Sequence, residues 1–229
     1  MIPAYNEENK IKATLEDVII KTNEKKRFSY EIIVVDDGSE DKTTKKVEEV
    51  QKELENQDLK LIKFKKNKGK GKAVKRGVLE ANGKIVMYMD ADNATTIDHL
   101  FNFLPYLKDY DIAIGSRTLK NSKIIKRQPI YRIIAGRMGG LLIKLFLGLN
   151  QKDTQCGFKI FSKEATEIIF PKIKCNGWGF DFEVLKIAKN QNLKVVELPV
   201  EWKNSSDSKV NFKGLCETIG ELIFVWKKY

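Results

Sequence analysis

Asp90 and Asp92 stand on either side of Ala91, directly after the apolar run Ile85-Val86-Met87-Tyr88-Met89. Residues two apart in an extended segment project to the same face, so the two carboxylates can share one ligand. Carboxylate oxygens suit a hard divalent cation, Mg2+ or Mn2+, which keeps waters and takes further oxygens from a substrate diphosphate. Such an ion offsets the charge of a leaving diphosphate. An N-cap followed by a solvated turn uses the same residues, and a lone Asp-x-Asp recurs by chance, so the pair by itself leaves both readings open. A second acidic pair, Asp36-Asp37, follows the run Glu31-Ile32-Ile33-Val34-Val35 and leads into Gly38-Ser39. An acid after a strand often accepts hydrogen bonds from a ribose. Asp-Gly-Ser is also strong turn chemistry, and the two roles are compatible. Residues 67–72, NKGKGK, lack the G-x-x-x-x-G-K-[ST] spacing of a P-loop, which argues against a Walker-type NTPase. The glycines still permit close backbone approach, and Lys70 and Lys72 offer point charges to a diphosphate or, equally, form a basic surface loop.

Groups of this kind need rigid carriers. Residues 8–22 carry apolar side chains at helical spacing (Ile11, Leu15, Val18, Ile19), and the run 31–35 reads as a short buried strand. Further along, the pattern predicts a charged helix over 41–57, a strand over 59–64, a helix over 73–81, a strand over 84–89, a helix over 98–108 and a strand over 112–114 leading into Gly115-Ser116-Arg117. Alternating strand and helix means βαβ units around a mostly parallel sheet. Polar motifs follow three of the apolar runs, and ligands of open α/β sheets bind beyond the carboxyl ends of the strands. Three strand ends thus point at one site. No repeat or low-complexity linker interrupts the pattern, so we expect one α/β domain over 1–229 with a C-terminal elaboration.

The composition is globular: 229 residues with 42% hydrophobic content are enough for a sizeable core and argue against extensive disorder. The formal charge is +11, which fits a nucleic-acid surface, an anionic membrane, a pocket for a phosphorylated substrate, or simply solvated lysine faces. Cys156, Cys175 and Cys216 are odd in number and lack metal-ligand spacing, so reduced thiols on the cytosolic side are expected. With His99 the only histidine, Ser-His-Asp chemistry and histidine-based zinc sites are improbable. From these residues we expect no signal peptide and no membrane span, since no uncharged apolar stretch of about 18 residues occurs in them.

The motifs in their order make the pattern specific. Pro3-Ala4-Tyr5-Asn6-Glu7-Glu8, then Val34-Val35-Asp36-Asp37-Gly38-Ser39, then the Gly-Lys loop, then Asp90-Ala91-Asp92 resemble the family 2 glycosyltransferases of GT-A fold. Asp153-Thr154-Gln155-Cys156-Gly157-Phe158-Lys159 looks like a segment of the dolichyl-phosphate glucosyltransferase branch, as do Trp178, Phe180-Asp181 with Glu183, and Trp202 with Ser208-Lys209. Asp207 stands where that branch usually has glycine. The resemblance covers essentially the whole chain and implies a nucleotide-sugar-binding half over 1–117 and an acceptor-binding half, with amphipathic membrane-facing helices, over 118–229. It implies a UDP-sugar donor, UDP-glucose, with Pro3, Ala4, Tyr5, Glu7 and Asp37 on the uridine side and Lys72 nearby. Asp90, Ala91 and Asp92 would hold the diphosphate, with Asp90 and Asp92 on Mg2+ or Mn2+ and Asp92 the more direct ligand. Arg117, Arg127, Arg132 and Lys209 would face a polyprenyl or dolichyl phosphate acceptor, and Gln155 and Asp181 would line the sugar pocket. The groups carrying catalysis would be Asp92, Arg117, Arg127 and Asp181. Arg127 and Arg132 are also plausible as plain surface charges.

A lipid monophosphate has a second pKa of about 6 and is already a nucleophilic dianion at neutral pH, so no side chain is expected to be essential as a base; Asp181 is the candidate if one is. A stripe at helical spacing over Ile130, Ile133, Ile134, Met138, Leu141, Leu142, Leu145, Phe146 and Leu149, with a similar face over 212–229, suits either sheet covering or a membrane surface. The cytosolic face of a membrane is the expected location, endoplasmic reticulum in a eukaryote or plasma membrane in a prokaryote, with peripheral attachment. The family's strand before PAYNEE is normally longer than Met1-Ile2, so an incomplete N-terminus is expected. Rival expectations are the same fold with GDP-mannose or a UDP-N-acetylhexosamine as donor, and a non-catalytic basic module that binds membrane or RNA; the favoured reading involves no nucleic acid.

Overall fold

The apolar runs become strands, and their period-two alternation sets the layering. The structure, a computed structural model, describes residues 1–25, 28–53, 58–126, 129–204 and 212–229. In chain order the elements are β1 (Ile2–Ala4), α1 (Ile11–Lys25), β2 (Ile32–Asp36), α2 (Thr43–Glu53), β3 (Leu59–Lys63), α3 (Lys70–Leu79), β4 (Ile85–Met89), α4 (Asp98–Phe103), β5 (Ile112–Ser116), β6 (Lys123–Lys126), α5 (Ile130–Leu147), β7 (Phe158–Ser162), α6 (Lys163–Ile169), α7 (Phe180–Asn190), β8 (Val195–Pro199), β9 (Glu201–Lys203) and α8 (Phe212–Lys228).

Strands β1, β2 and β3 form a parallel sheet in that order, with Ile2 opposite Val34 and Ile32 opposite Leu59. A second sheet runs β4-β7-β5-β8. Met1 joins the two: its α-amino group donates to the Met87 carbonyl at 2.6 Å, and the Met89 N–H donates to the Met1 carbonyl at 3.2 Å. The sheet therefore continues as β3-β2-β1-β4-β7-β5-β8. Because β1 spans only Ile2–Ala4, its pairing with β2 begins at Val34, and Ile32, Ile33, Ile85 and Val86 line an apolar cavity of about 640 Å3 beside Met1.

All five residues of β2 and of β5 are buried, as strands covered on both faces require. Ile33, Val35, Val86, Tyr88, Ile112, Ile114 and Phe161 enter a core with α3, α6 and α7. Ile32, Val34, Met89, Ala113, Phe158 and Ile160 enter a second core with α1 and α2. The result is helix, sheet, helix in three layers. Strands from both sides of residue 117 share the second sheet, since β7 lies between β4 and β5.

Several boundaries differ from those expected. The stretch 98–108 splits into α4 and a 3-10 turn at Leu104–Lys108, because Pro105 offers no N–H to continue the α ladder. Helix α3 begins at Lys70, three residues before the expected start. Strand β7 is antiparallel to both of its neighbours, an insertion into the otherwise parallel order that the motif-rich sequence around it does not announce. Helix α5 touches the body through its C-terminal end: Ile143 and Leu147 are buried, whereas Ile130 is 76% exposed, Met138 62%, Leu141 67% and Leu145 74%. Leu149, placed on the same stripe by its spacing, lies beyond the helix and is buried. No helix among the described residues is long and apolar enough to cross a membrane.

Candidate active site

The acids that opened the sequence reading lie at the carboxyl ends of β2 and β4. Asp90 is held by its backbone, which donates to the Gly157 carbonyl at 3.1 Å. A Cβ on Gly157 would collide with the Asp90 carboxylate unless that carboxylate swung aside, so the loop before β7 lies close against this acid. Asp92 accepts the Ala94 N–H at 3.1 Å and is half-buried. Burial pushes its carboxyl pKa up, and the neighbouring Asp90 and Glu7 charges push the same way. Ala91 is buried, and its carbonyl accepts from the Thr14 hydroxyl at 2.8 Å.

Lysine chemistry comes to these acids from α3. Lys70 Nζ pairs with Asp90 Oδ1 at 2.6 Å and lies 5.1 Å from the Trp178 ring centre. Burial alone would lower the Lys70 pKa, but Asp90 and then Asp181 override it and raise it, so the ammonium stays charged. The turn before α3 is fixed by Asp37: Oδ1 accepts the Lys68 N–H at 2.7 Å and Oδ2 the Gly69 N–H at 2.8 Å. Burial raises the Asp37 pKa against the pull of these amides. Gly69 sits at φ +96°, a conformation open to glycine. Lys72 is exposed on the first turn of α3.

The segment after β1 is laced to the turn after β2. The Asp37 N–H donates to the Ala4 carbonyl at 2.8 Å, the Asn6 N–H to Ser39 Oγ at 2.9 Å and the Glu7 N–H to Thr43 Oγ1 at 2.7 Å. Pro3 and Ala4 are buried, and Tyr5 and Glu7 are partly open. Asp36 is internal: it accepts the Ser39 N–H at 2.9 Å and the Thr44 hydroxyl. Of the acidic pair, Asp36 thus builds the turn and Asp37 fastens the Gly-Lys loop.

Arg117, expected on an acceptor phosphate, is paired with Asp153 in this structure. Its Nε and Nη2 fork onto Asp153 at 2.7 and 2.8 Å, and its N–H donates to the same carboxylate at 2.9 Å. Burial opposes charge on both partners, yet each holds the other ionised, with Arg117 raised and Asp153 lowered. Arg132 lies on the first turn of α5, half-buried, with its guanidinium 5.9 Å from the Tyr131 ring. Arg127 and Lys209, with Asp207 and Ser208 beside the latter, lie outside the described residues. Gln155 is half-buried in the loop before β7.

Asp181 opens α7 and is buried. Its Oδ1 accepts from the Lys159 ammonium and from the Tyr88 hydroxyl, and Lys159 also donates to the Cys156 carbonyl at 2.7 Å. Burial and Asp181 push the Tyr88 pKa well up, so its hydroxyl remains a donor. Neither Tyr88 nor Lys159 was given a role from sequence. The signal was there: each is a polar group within an apolar run, IVMYM and FKIF.

The residues fit a divalent cation in one respect that the geometry itself supplies. Asp90 already holds a cationic group at 2.6 Å, and Asp92 carries the strain of a second nearby carboxylate. No cluster of three or more His, Cys, Asp or Glu side chains occurs among the described residues, so an ion here would need substrate oxygens to complete its shell.

Comparison with known proteins gives this arrangement its class. The Glycosyl transferase family 2 model matches residues 1–170, and the chain belongs to that family. It is a glycosyltransferase. Among its relatives are dolichyl-phosphate beta-glucosyltransferases from Dictyostelium discoideum, 36% identical over 92% of this chain and 68% of that one, and from Saccharomyces cerevisiae, 34% identical over the same shares. The Homo sapiens protein of that name is 29% identical over 100% of this chain and 74% of its own. The fold matches glucosyl-3-phosphoglycerate synthase from Mycobacterium tuberculosis, solved with Mn2+, UDP-glucose and phosphoglyceric acid, at a TM-score of 0.70, 17% identity, 99% of this chain and 78% of that chain. The GT-A architecture expected from the motif order is therefore present.

Proposed function

We propose that this glycosyltransferase moves glucose from UDP-glucose to a dolichyl or polyprenyl phosphate, with inversion at the anomeric carbon. The observation that carries this is the single hydrogen-bonded unit at the ends of β2 and β4. Asp37 fastens the Gly-Lys loop, Lys70 reaches from that loop to Asp90, and Asp92 lies half-buried beside it. The names of the relatives and the bound donor of the fold neighbour support the acceptor and the donor.

Each residue has a task in this reading. Asp90 and Asp92 would hold Mg2+ or Mn2+, and the ion, when bound, neutralises charge on the departing diphosphate. Lys70 and Lys72 add positive charge to the same region. Pro3, Ala4, Tyr5, Glu7 and Asp37 form the uridine side, and Gln155 and Asp181 the sugar side. Arg132, with Arg127 and Lys209, serves the acceptor phosphate. Arg117 serves by fixing Asp153 and hence the loop that carries Gln155 and Gly157. The acceptor is a dianion near neutral pH, so positioning and charge compensation dominate. Asp181 fits that view, since the oxygen that meets Lys159 and Tyr88 is already taken.

The acceptor is a lipid, and the exposed apolar face of α5 answers to it. Tyr131, Ile134, Met138, Leu141 and Leu145 are exposed on α5; Ile219, Ile223, Phe224 and Trp226 are exposed on α8, and Trp226 meets Phe146 edge-on at 5.5 Å. Apolar helices with flanking Trp, Lys and Arg suit a membrane interface. We place the enzyme peripherally on the cytosolic leaflet, where the lipid phosphate is offered.

The test offers labelled UDP-glucose, GDP-mannose and UDP-N-acetylglucosamine in parallel to polyprenyl phosphate in vesicles. Labelled lipid from UDP-glucose alone is expected. Transfer from either other donor, with UDP-glucose inert, would overturn the donor assignment.

A further inference from the structure

Glu221 lies on α8, more than 120 residues from the Asp90-Ala91-Asp92 motif, yet both its carboxylate oxygens are committed to one loop. Oε1 accepts the Gly177 N–H at 2.8 Å and Oε2 the Gly179 N–H at 2.7 Å. These amides precede α7, where helix N–H groups lack partners within the helix and the dipole favours an anion. A charge-assisted pair of this kind is among the stronger hydrogen-bond arrangements a loop can have.

The loop it holds is packed against the donor-side residues. The Lys72 N–H donates to the Asn176 carbonyl at 3.3 Å. A Cβ on Gly71 would come within 2.6 Å of the Cys175 carbonyl oxygen and 3.0 Å of that of Gly177, so α3 and this loop are in close backbone contact. Trp178, between the two glycines that Glu221 grips, lies under the Lys70 ammonium, and Lys70 pairs with Asp90. The run of contacts therefore goes from α8, through Glu221 and the 176–179 loop, to Lys70, Asp90 and the turn that Asp37 fastens. Displacing the loop would free Trp178 and remove one wall from Lys70.

We propose that Glu221 is a positioning residue for the donor site: it holds the 176–179 loop on the start of α3, and so sets where Lys70 stands for a nucleoside diphosphate. This rests on the reading of Asp37, Lys70 and Asp90 as the donor site. A helix cap alone would contribute stability and nothing more. A positioning role changes donor affinity at constant fold.

The discriminating variant is Glu221→Gln, which keeps the shape but turns an N–H2 toward one of the two loop amides; Glu221→Ala removes both bonds. We expect Glu221→Gln to stay folded by circular dichroism, to weaken UDP binding by calorimetry about tenfold, the scale of one charge-assisted hydrogen bond, and to raise the donor KM with the lipid KM unchanged. Amide exchange over 68–72 should accelerate with that at 177–179. Unchanged UDP affinity and donor KM in the folded variant, with only a lower Tm, would reduce Glu221 to a cap and overturn the proposal. Should Glu221→Ala fail to fold, Glu221→Gln still decides. A wild-type chain that binds no UDP would overturn the donor-site reading itself, and the proposal with it, and is recognised from the wild type alone.

Discussion

Lys159 and Asp181 show how much a single buried charge asks of its surroundings. Both side chains are essentially closed to solvent, and the ion pair is completed by Tyr88 and by the Cys156 carbonyl. Removing one partner of such a pair strands the other charge, which costs roughly 3–5 kcal/mol, whereas replacing both by apolar groups costs far less. We predict that Lys159→Met and Asp181→Asn each lower the urea midpoint strongly, and that Lys159→Met combined with Asp181→Leu is much more stable than the sum of two such losses. Strictly additive losses would show that the pair is not coupled. The sequence hinted at this through a lysine in the apolar stretch FKIF, but its partner is 22 residues away and Tyr88 is 93 from Asp181, separations that local pattern does not bridge. Arg117 teaches the same lesson in reverse. It was legible as a cation after a strand, whereas its pairing with Asp153, 36 residues on, is a tertiary fact.

At the scale of elements, apolar runs followed by polar motifs located β2, β4 and β5 to within a residue or two; β2 and β5 are buried along their whole length, which leaves little freedom in composition. Helix ends were harder. Helix α4 stops at Phe103 for want of a proline N–H, and α3 starts early because the Gly-Lys loop closes directly into a helical turn. Strand β7 was missed because its residues were read for chemistry. Helix α4 also carries the chain's single histidine. His99 packs edge-on against Phe103 and Phe158, each at 6.1 Å, and its Nε2 accepts the Glu201 N–H at 3.0 Å. Burial lowers its pKa, against the opposing pull of Asp98 and Glu201. Its folded pKa is thus below the unfolded value near 6.5, and the unfolded chain binds more protons in between. Stability should be complete above about pH 6.5 and fall as the pH drops through that value toward the folded pKa. Urea midpoints from pH 7.5 to 5.5 in wild type and His99→Gln check this; an equal slope in both would remove His99 from the account.

The molecule as a whole is a three-layer sheet with its polar chemistry at one edge and its exposed apolar helices, α5 and α8, alongside. The general plan was legible because motif order, strand alternation and the helical stripe all agree with one fold. What the sequence could not show is how the second half enters the first: β7 inserts between β4 and β5, Gly157 presses on Asp90, and Glu221 reaches the loop above Lys70. These contacts make the site a property of the whole chain. The most direct test of the central claim is transfer of labelled glucose from UDP-glucose to polyprenyl phosphate with Mn2+ or Mg2+, with EDTA, and with Asp92→Ala. The account predicts labelled lipid that needs the metal and is lost by at least a hundredfold in the folded variant, about the loss from removing one electrostatic contact to developing charge. Equal product from Asp92→Ala, or full product in EDTA, would contradict it.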